Sequence, residues 1–399
     1  MTTLHGGGLR IALVAACPFT ASRGTPIRIH RMAEALAHRG HEVHVVTYHL
    51  GEPPVDPPFE VHRIKPLRFY KKISPGPSYR KLLQVDRHLA RLLASVLSSN
   101  EIDLIHAHHY EGLIVALRSR RRGVPIIYDA HTTLHSELPY YRMGLPRWLK
   151  LGVGAVLDRY LPRTAHHTIA VTEKIREKLL DIEAVKPDRV SVISNGVEPE
   201  LFVERTDRSP ERTAKQNTIL FAGNLAAYQG IDLLLEAFAE LRAQRSDTRL
   251  VIASLSSFEE CEFLADSLGV RDAVDFIPTG LPQLPAVLAR ADVAVSPRVD
   301  CTGIPQKLLN YMAAGLPVVA FEGSAATIRH GETGLRVPNG DTQALARAIE
   351  LAIDDRELAT RLGQAAQQEM RAERTWAVCA QAVETVYERL LAPIDRRSR

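Results

Sequence analysis

Cysteine is scarce in this chain, and the short signatures of the commonest enzyme classes are missing. The four cysteines, Cys17, Cys261, Cys301 and Cys379, lie far apart and form no Cys-x-x-Cys pair. That disfavours a disulfide framework or a cysteine zinc site and points to a reducing cytosol. There is no GxxxxGK[ST], no GxGxxG after the first apolar run, no HExxH and no GxSxG. These absences argue against P-loop ATPases, standard dinucleotide oxidoreductases, zinc proteases and nucleophile-elbow hydrolases. No Asp-x-Asp triplet occurs either, so a divalent-ion clamp is not indicated. No segment approaches the roughly 18 uninterrupted apolar residues of a membrane span. Val14-Ala15-Ala16-Cys17 has the look of a lipoprotein cleavage box. The apolar run ahead of it, Ile11 to Ala16, is shorter than the roughly 7–15 residues of a signal core, so residues 9–16 read as a first strand.

What is present is a soluble composition with a strong alternation. The 399 residues carry a net charge of +4, with 45% hydrophobic and 24% charged residues, enough for two or three domains with their own cores. Strand candidates in the first half are IALVAA, EVHVVT, FEVHRI, DLIHAH, VPIIYD, HTIAVT and RVSVIS; in the second half they are TILFAG, RLVIAS, AVDFIP, ADVAVS and LPVVAF. Helical stretches such as 27–39, 80–98, 173–181 and 230–245 separate them, the pattern of parallel sheets covered by helices on both faces. The polar stretch 199–217 follows the turn-prone Asn195-Gly196 pair and marks a boundary. The fold class is therefore α/β, with a Rossmann-like domain over 1–198 and a second over 199–374. A final helical segment, 375–399, either closes the second domain or crosses back to the first. In such folds ligands bind at the carboxyl ends of the strands, here in a cleft expected between the two domains.

One stretch raises a specific chemical question. In SPRVDCTGIPQKLLNYMAAGLPVVAF (296–321) a strand end runs through a Gly/Pro loop into a helix that Gly315 and Pro317 stop. Lys307 falls in the first turn, where the macrodipole disfavours a cation by up to ~1 kcal/mol. It is either a solvated lysine or one that shares a bound phosphate with the helix amides. His106 and His108, with His109, form a second cluster, a metal-ligand set or simply a strand end.

Taken in order, these pieces resemble the GT-B-fold retaining glycosyltransferases of family 4, over about Leu9 to Tyr387. The landmarks are Arg23-Gly24-Thr25, Asp103-Leu-Ile-His-Ala-His108, Asp129-Ala-His131, Ser194-Asn-Gly-Val197, Phe221-Ala-Gly-Asn-Leu225 with Gly230, and GIPQKLLNYMAAGLPVVAF. The resemblance implies a sugar nucleotide in the second domain and an acceptor in the first. Gly24 would let the backbone approach the donor phosphates, unless it is an ordinary turn glycine. His131 matches the family's active-site histidine, its alternative being a structural strand-end residue. The backbone around Gly303 and Ile304 would face the sugar hydroxyls.

The departures carry as much information. Where the family usually has an Arg and a Lys gripping the diphosphate, this chain has Asn224 and Gln229. Where it usually has two carboxylates eight positions apart, this chain has Thr302 and Asn310. Arg298 and Lys307 are the cations left to take over the diphosphate, with Arg298 as a plain surface residue the alternative. Asn310 would then accept from ribose hydroxyls and Asp300 would bind a sugar hydroxyl.

The expected reaction moves a hexosyl group from a UDP- or GDP-linked sugar to a hydroxyl on a glycan or lipid-linked intermediate, as in polysaccharide biosynthesis. No cofactor and no metal are expected. A nucleotide-sugar epimerase of the same fold and a non-catalytic nucleotide-sugar-binding homologue remain open. The Arg-rich runs at 118–122 and 396–399 read as solvated ends, not nucleic-acid elements. Lys71-Lys72, Arg118 with Arg120–Arg122, and the Trp148–Leu161 stretch flanked by Arg147 and Arg163 suggest peripheral contact of a cytoplasmic protein with anionic lipid. A core helix with solvated ends is the alternative for that stretch.

Overall fold

All twelve strand candidates form strands, and every pairing among them is parallel. A computed structural model describes residues 8–20, 24–71, 81–119, 123–141, 144–202, 216–301 and 303–392. Thr302, Arg23, Lys72, Arg120–Arg122 and most of the polar boundary stretch lie outside the described residues.

The chain divides into two units, one of residues 1–195 with 376–399, the other of residues 196–375. In the first, β1 (Arg10–Ala15), β2 (Glu42–Thr47), β3 (Glu60–Arg63), β4 (Leu104–His108), β5 (Ile126–Ala130), β6 (His167–Ala170) and β7 (Val190–Val192) form one sheet in the order β3-β2-β1-β4-β5-β6-β7. In the second, β8 (Asn217–Ala222), β9 (Thr248–Ser254), β10 (Val274–Pro278), β11 (Val293–Ser296), β12 (Val318–Phe321) and β13 (Leu335–Val337) are ordered β10-β9-β8-β11-β12-β13. The strand order reverses between β1 and β4 in one sheet and between β8 and β11 in the other. Those reversals leave a crevice at the carboxyl ends of the neighbouring strands.

Burial on both faces explains why the strands read as unbroken apolar runs. Along β1, Ala12 and Val14 join one core while Ile11, Leu13 and Ala15 join the other. Along β8, Ile219 and Phe221 face one core and Leu220 and Ala222 the opposite one. The strand that sequence patterning missed, β13, has three residues with a charged Arg336 at its centre, which breaks the apolar run.

The last helix, Trp376–Leu391, belongs to the first unit. Trp376, Cys379, Val383 and Tyr387 are buried with Ile11 and Leu13, against the helix Gly24–His38. The helix Arg147–Tyr160 behaves differently. It buries only Gly154 and Asp158, and the Asp158 carboxylate accepts the N–H groups of Leu134 and His135 at 2.8 Å each. Trp148, Val156 and Tyr160 are 72, 56 and 55% exposed, while Leu157 and Leu161 pack against the buried cluster of Tyr110, Leu134 and Leu138. Among the described residues no helix is long and apolar enough to cross a membrane.

Candidate active site

The second unit gathers its polar side chains where β8 and β11 end side by side. After β8 the chain turns through Gly223, at φ 148°, a backbone geometry that side-chain-bearing residues rarely adopt. The loop closes at Gly230, at φ 71°, where an added Cβ would lie 2.2 Å from the Pro297 carbonyl. Glycine at 230 thus lets the loop after β8 press against the loop after β11. The helix Gln306–Ala313 follows, capped by Pro305 and closed by the Gly315 and Leu316 N–H groups on Met312 and Tyr311.

Lys307, the second residue of that helix, points back at the β8 loop. Its Nζ donates to Gln229 Oε1 at 2.7 Å and lies 4.0 Å from the centroid of the Phe221 ring. Gln229 Nε2 in turn donates to Asn224 Oδ1 at 3.3 Å, an oxygen that also accepts the Ala226 N–H at 3.2 Å. Three of the sequence-derived donor residues therefore form one chain beside Gly223. Arg298 stacks on the Tyr228 ring at 4.8 Å, and its Nε donates to the Asp300 carbonyl at 2.6 Å. Burial, and then the charge of Arg298, push the Lys307 amine well below its ordinary range. Among the described residues, neither cation forms an ion pair with a carboxylate.

The other sequence-derived residues lie around this chain. Gly303 and Ile304 are half-buried in the loop before the helix, Ile304 packing on the core beneath. Asn310 is buried one turn into the helix, and Asp300 is exposed, meeting Arg298 through its carbonyl. Sequence reasoning did not single out Tyr228, nor Ser296, whose hydroxyl is buried without a partner among the described residues at the end of β11. A lone Ser at the close of an apolar strand carries no pattern that would flag it.

In the first unit, Gly24 opens the helix Gly24–His38, and an added Cβ there would meet nothing within 4 Å. The fold itself therefore makes no demand for glycine at this position. The next residue, Thr25, places Oγ1 3.1 Å from His131 Nδ1, so two family landmarks meet. His131 follows β5 directly, and its Nε2 is 3.3 Å from His108 Nδ1 at the end of β4. Behind them the buried Asp129 carboxylate takes Arg28 Nε at 2.9 Å and Nη2 at 3.2 Å. The same guanidinium donates to the carbonyls of Ile193 and Ser194. His106 is 3.3 Å from Asp129 and holds the Tyr387 hydroxyl at 2.7 Å.

The electrostatics of this cluster follow from burial and one cation. Burial alone would raise the Asp129 carboxyl, but Arg28, then His131 and hydrogen bonds from His106 and His108, hold it well below its usual range. Burial keeps the His131 imidazole well below its own and takes His108 down to about 4. His131 is therefore a neutral hydrogen-bonding group. His109 is the opposite case: burial would lower it, yet hydrogen bonds to Glu111 and Glu137 raise it to about 10. Its ring is 6.0 Å from that of His131, placing an imidazolium next to a neutral imidazole. Because Arg28 already bonds both Asp129 oxygens, the trio His106, His108 and Asp129 is poorly suited to a metal ion.

Comparison with known proteins gives a consistent result. Residues 22–201 match the model of Glycosyltransferase Family 4, and residues 203–369 that of Glycosyl transferases group 1. The D-inositol 3-phosphate glycosyltransferase of Corynebacterium aurimucosum is 27% identical over 305 residues, covering 72% of each chain. Sucrose-phosphate synthase from Thermosynechococcus elongatus superposes with a TM-score of 0.80 at 21% identity, covering 96% of this chain and 99% of that one. Anabaena HepE, in complex with UDP and glucose, gives 0.72 at 18% identity over 96% of this chain and all of the other. With a match in each unit and two parallel sheets of this order, the chain belongs to the GT-B glycosyltransferases.

Proposed function

We propose that this glycosyltransferase moves a hexosyl group from a nucleoside diphosphate sugar to an acceptor hydroxyl on a glycan or lipid-linked intermediate, with retention at the anomeric carbon. The observation that carries the reading is the chain Lys307–Gln229–Asn224 beside Gly223, with Arg298 adding a second cation. Cleavage of the anomeric C–O bond leaves negative charge on a diphosphate, and positioned cations are usually the largest contribution to stabilising it. Relatives with Lys at position 229 would hold an ammonium at one end of this hydrogen bond; here Lys307 holds it at the other. The lysine opposes the helix macrodipole because ammonium and amides aim at one anion.

In this reading the acceptor oxygen attacks the anomeric carbon on the face the leaving group departs from. The new C–O bond forms as the C–O bond to phosphate breaks, and the acceptor proton passes to a diphosphate oxygen. His131, neutral and fixed by Thr25 and His108, hydrogen-bonds a sugar hydroxyl. Gly24 leaves room for phosphate oxygens, and the loop at Asp300, Gly303, Ile304 and Asn310 faces sugar and ribose. Thr302 lies outside the described residues and is assigned to the same loop on the resemblance alone. The two side-chain cations do the work of a divalent ion, so added Mg²⁺ leaves turnover unchanged.

The test is a panel of nucleotide sugars, starting with UDP-glucose because the HepE structure holds UDP and glucose, read by release of UDP or GDP with and without acceptors. Loss of donor affinity in Arg298→Ala and Lys307→Gln supports the assignment; unchanged affinity in both overturns it. Isomerised nucleotide sugar without transfer would favour an epimerase, and binding without turnover a binding homologue.

A lipid-linked acceptor is supported by the helix Arg147–Tyr160, whose exposed Trp148, Val156 and Tyr160 stand among Arg147, Arg159 and Arg163. Elsewhere on the same unit, Arg87, Arg91 and Arg118 rim a groove floored by Leu82 and Ala90. Apolar side chains beside arginines suit the boundary of an anionic membrane. Co-sedimentation with phosphatidylglycerol vesicles that weakens in Trp148→Ala is expected; no dependence on anionic lipid would remove this part.

A further inference from the structure

A tripeptide occurs on each of two adjacent strands: Glu42-Val43-His44 opens β2 and Glu60-Val61-His62 opens β3. The parallel register sets His44 opposite Glu60 and Val46 opposite His62, a stagger of two residues. Since alternate residues of a strand share a face, both histidines and both glutamates stand on one side of the sheet.

Three atoms there form a nearly equilateral triangle. His44 Nδ1 is 3.1 Å from His62 Nε2, and Glu60 Oε2 is 3.4 Å from each nitrogen. A tetrahedral zinc ion with bonds of about 2.0–2.1 Å keeps its ligand atoms about 3.3–3.4 Å apart. Glu60 Oε2 is within ion-pair reach of both nitrogens, so the same three atoms serve either a protonated imidazole or a bound cation. On the far side of His44, Nε2 is 3.0 Å from Glu42 Oε1. A carboxylate on the second ring nitrogen fixes the tautomer that frees Nδ1 and orients the ring, as outer partners of ligating histidines do. Glu60 is two-thirds exposed, which leaves a fourth position to solvent.

We propose that His44 Nδ1, His62 Nε2 and Glu60 bind a divalent transition ion of the zinc type, completed by water and supported by Glu42. Two imidazoles and one carboxylate suit zinc and its neighbours far better than magnesium or calcium. None of these residues is among those assigned to sugar transfer, and the effect of the ion is structural. It ties β3, a four-residue strand at the edge of the sheet, to β2. Among the described residues the only other such group is His106, His108 and Asp129, where the Arg28 guanidinium already occupies the carboxylate.

The experiment uses untagged full-length protein stripped by chelator and dialysed against Zn²⁺, with Co²⁺ as a spectroscopic stand-in. One Zn²⁺ per chain is expected, with the intense visible absorption of four-coordinate cobalt and a higher unfolding temperature in the loaded protein. His62→Ala and Glu60→Gln, each checked for native circular dichroism, should weaken binding at least about tenfold and abolish the thermal shift; Glu42→Gln should weaken it by about 10–100-fold. Absence of bound zinc in the wild type overturns the site. So does zinc binding that neither His62→Ala nor Glu60→Gln alters, because the ion would then lie elsewhere.

Discussion

At the scale of single residues, the most direct test exchanges the two ends of one hydrogen bond. Lys307→Gln should lose donor affinity by about tenfold or more, since one charge-assisted contact contributes about 1.5–3 kcal/mol. Adding Gln229→Lys returns an ammonium to the same place and should restore most of that loss in a calorimetric titration with UDP. No recovery in the double variant would mean that Lys307 acts by another route. A pH dependence follows as well. Lys307 is depressed in the free protein, and a bound anion favours its charged form, so binding takes up a proton. Affinity is then highest below the free-state pKa and falls as pH rises above it; titrations in buffers of different ionisation enthalpy measure the uptake. The buried pair Arg28–Asp129 invites a different experiment. Arg28→Met strands a carboxylate with no exposed surface and should cost about 3–5 kcal/mol in urea unfolding, part of which Arg28→Met/Asp129→Leu should recover. Lys307 was legible in the sequence because a cation at a helix start conflicts with the dipole. Arg28 was not, since an arginine within a mixed helix looks like any solvated one until Asp129 and the β7 end fold onto it.

At the scale of elements, patterning worked wherever burial on two faces left a long apolar run. It failed at β13, where a charged Arg336 sits at the centre of three residues. The helix Trp376–Leu391 shows another limit: its amphipathic period announces that one face is buried, but not against which core. Only the packing of Trp376, Val383 and Tyr387 beside Ile11 and Leu13 settles that. Truncation after Thr375 should therefore leave the first unit's core open and yield aggregated protein, whereas Tyr387→Phe removes only the bond to His106 and should cost about 1 kcal/mol. Soluble, native protein after truncation would show that the helix is dispensable.

At the scale of the whole molecule, the two units repeat one plan: a parallel sheet, helices on both faces, and a cluster of candidate site residues near the point where the strand order reverses. That recurrence explains why the fold could be read from alternation alone while the site could not. The reversal fixes where a ligand goes, and single side chains at loop ends fix which ligand. UDP should accordingly slow amide exchange in the second unit, over 223–230 and the helix Gln306–Ala313, and stabilise it by about 2.7 kcal/mol at a hundred times Kd. Exchange mass spectrometry reporting protection confined to the first unit would contradict a donor site built on Lys307.

An amine whose proton is held less tightly because of burial and a neighbouring arginine is also a better nucleophile. An aldehyde bearing a phosphate group, pyridoxal phosphate for instance, should be drawn in by Arg298 and condense with Lys307 to an imine that borohydride fixes. Peptide mapping would then find this one lysine tagged ahead of the rest, with UDP as the shield.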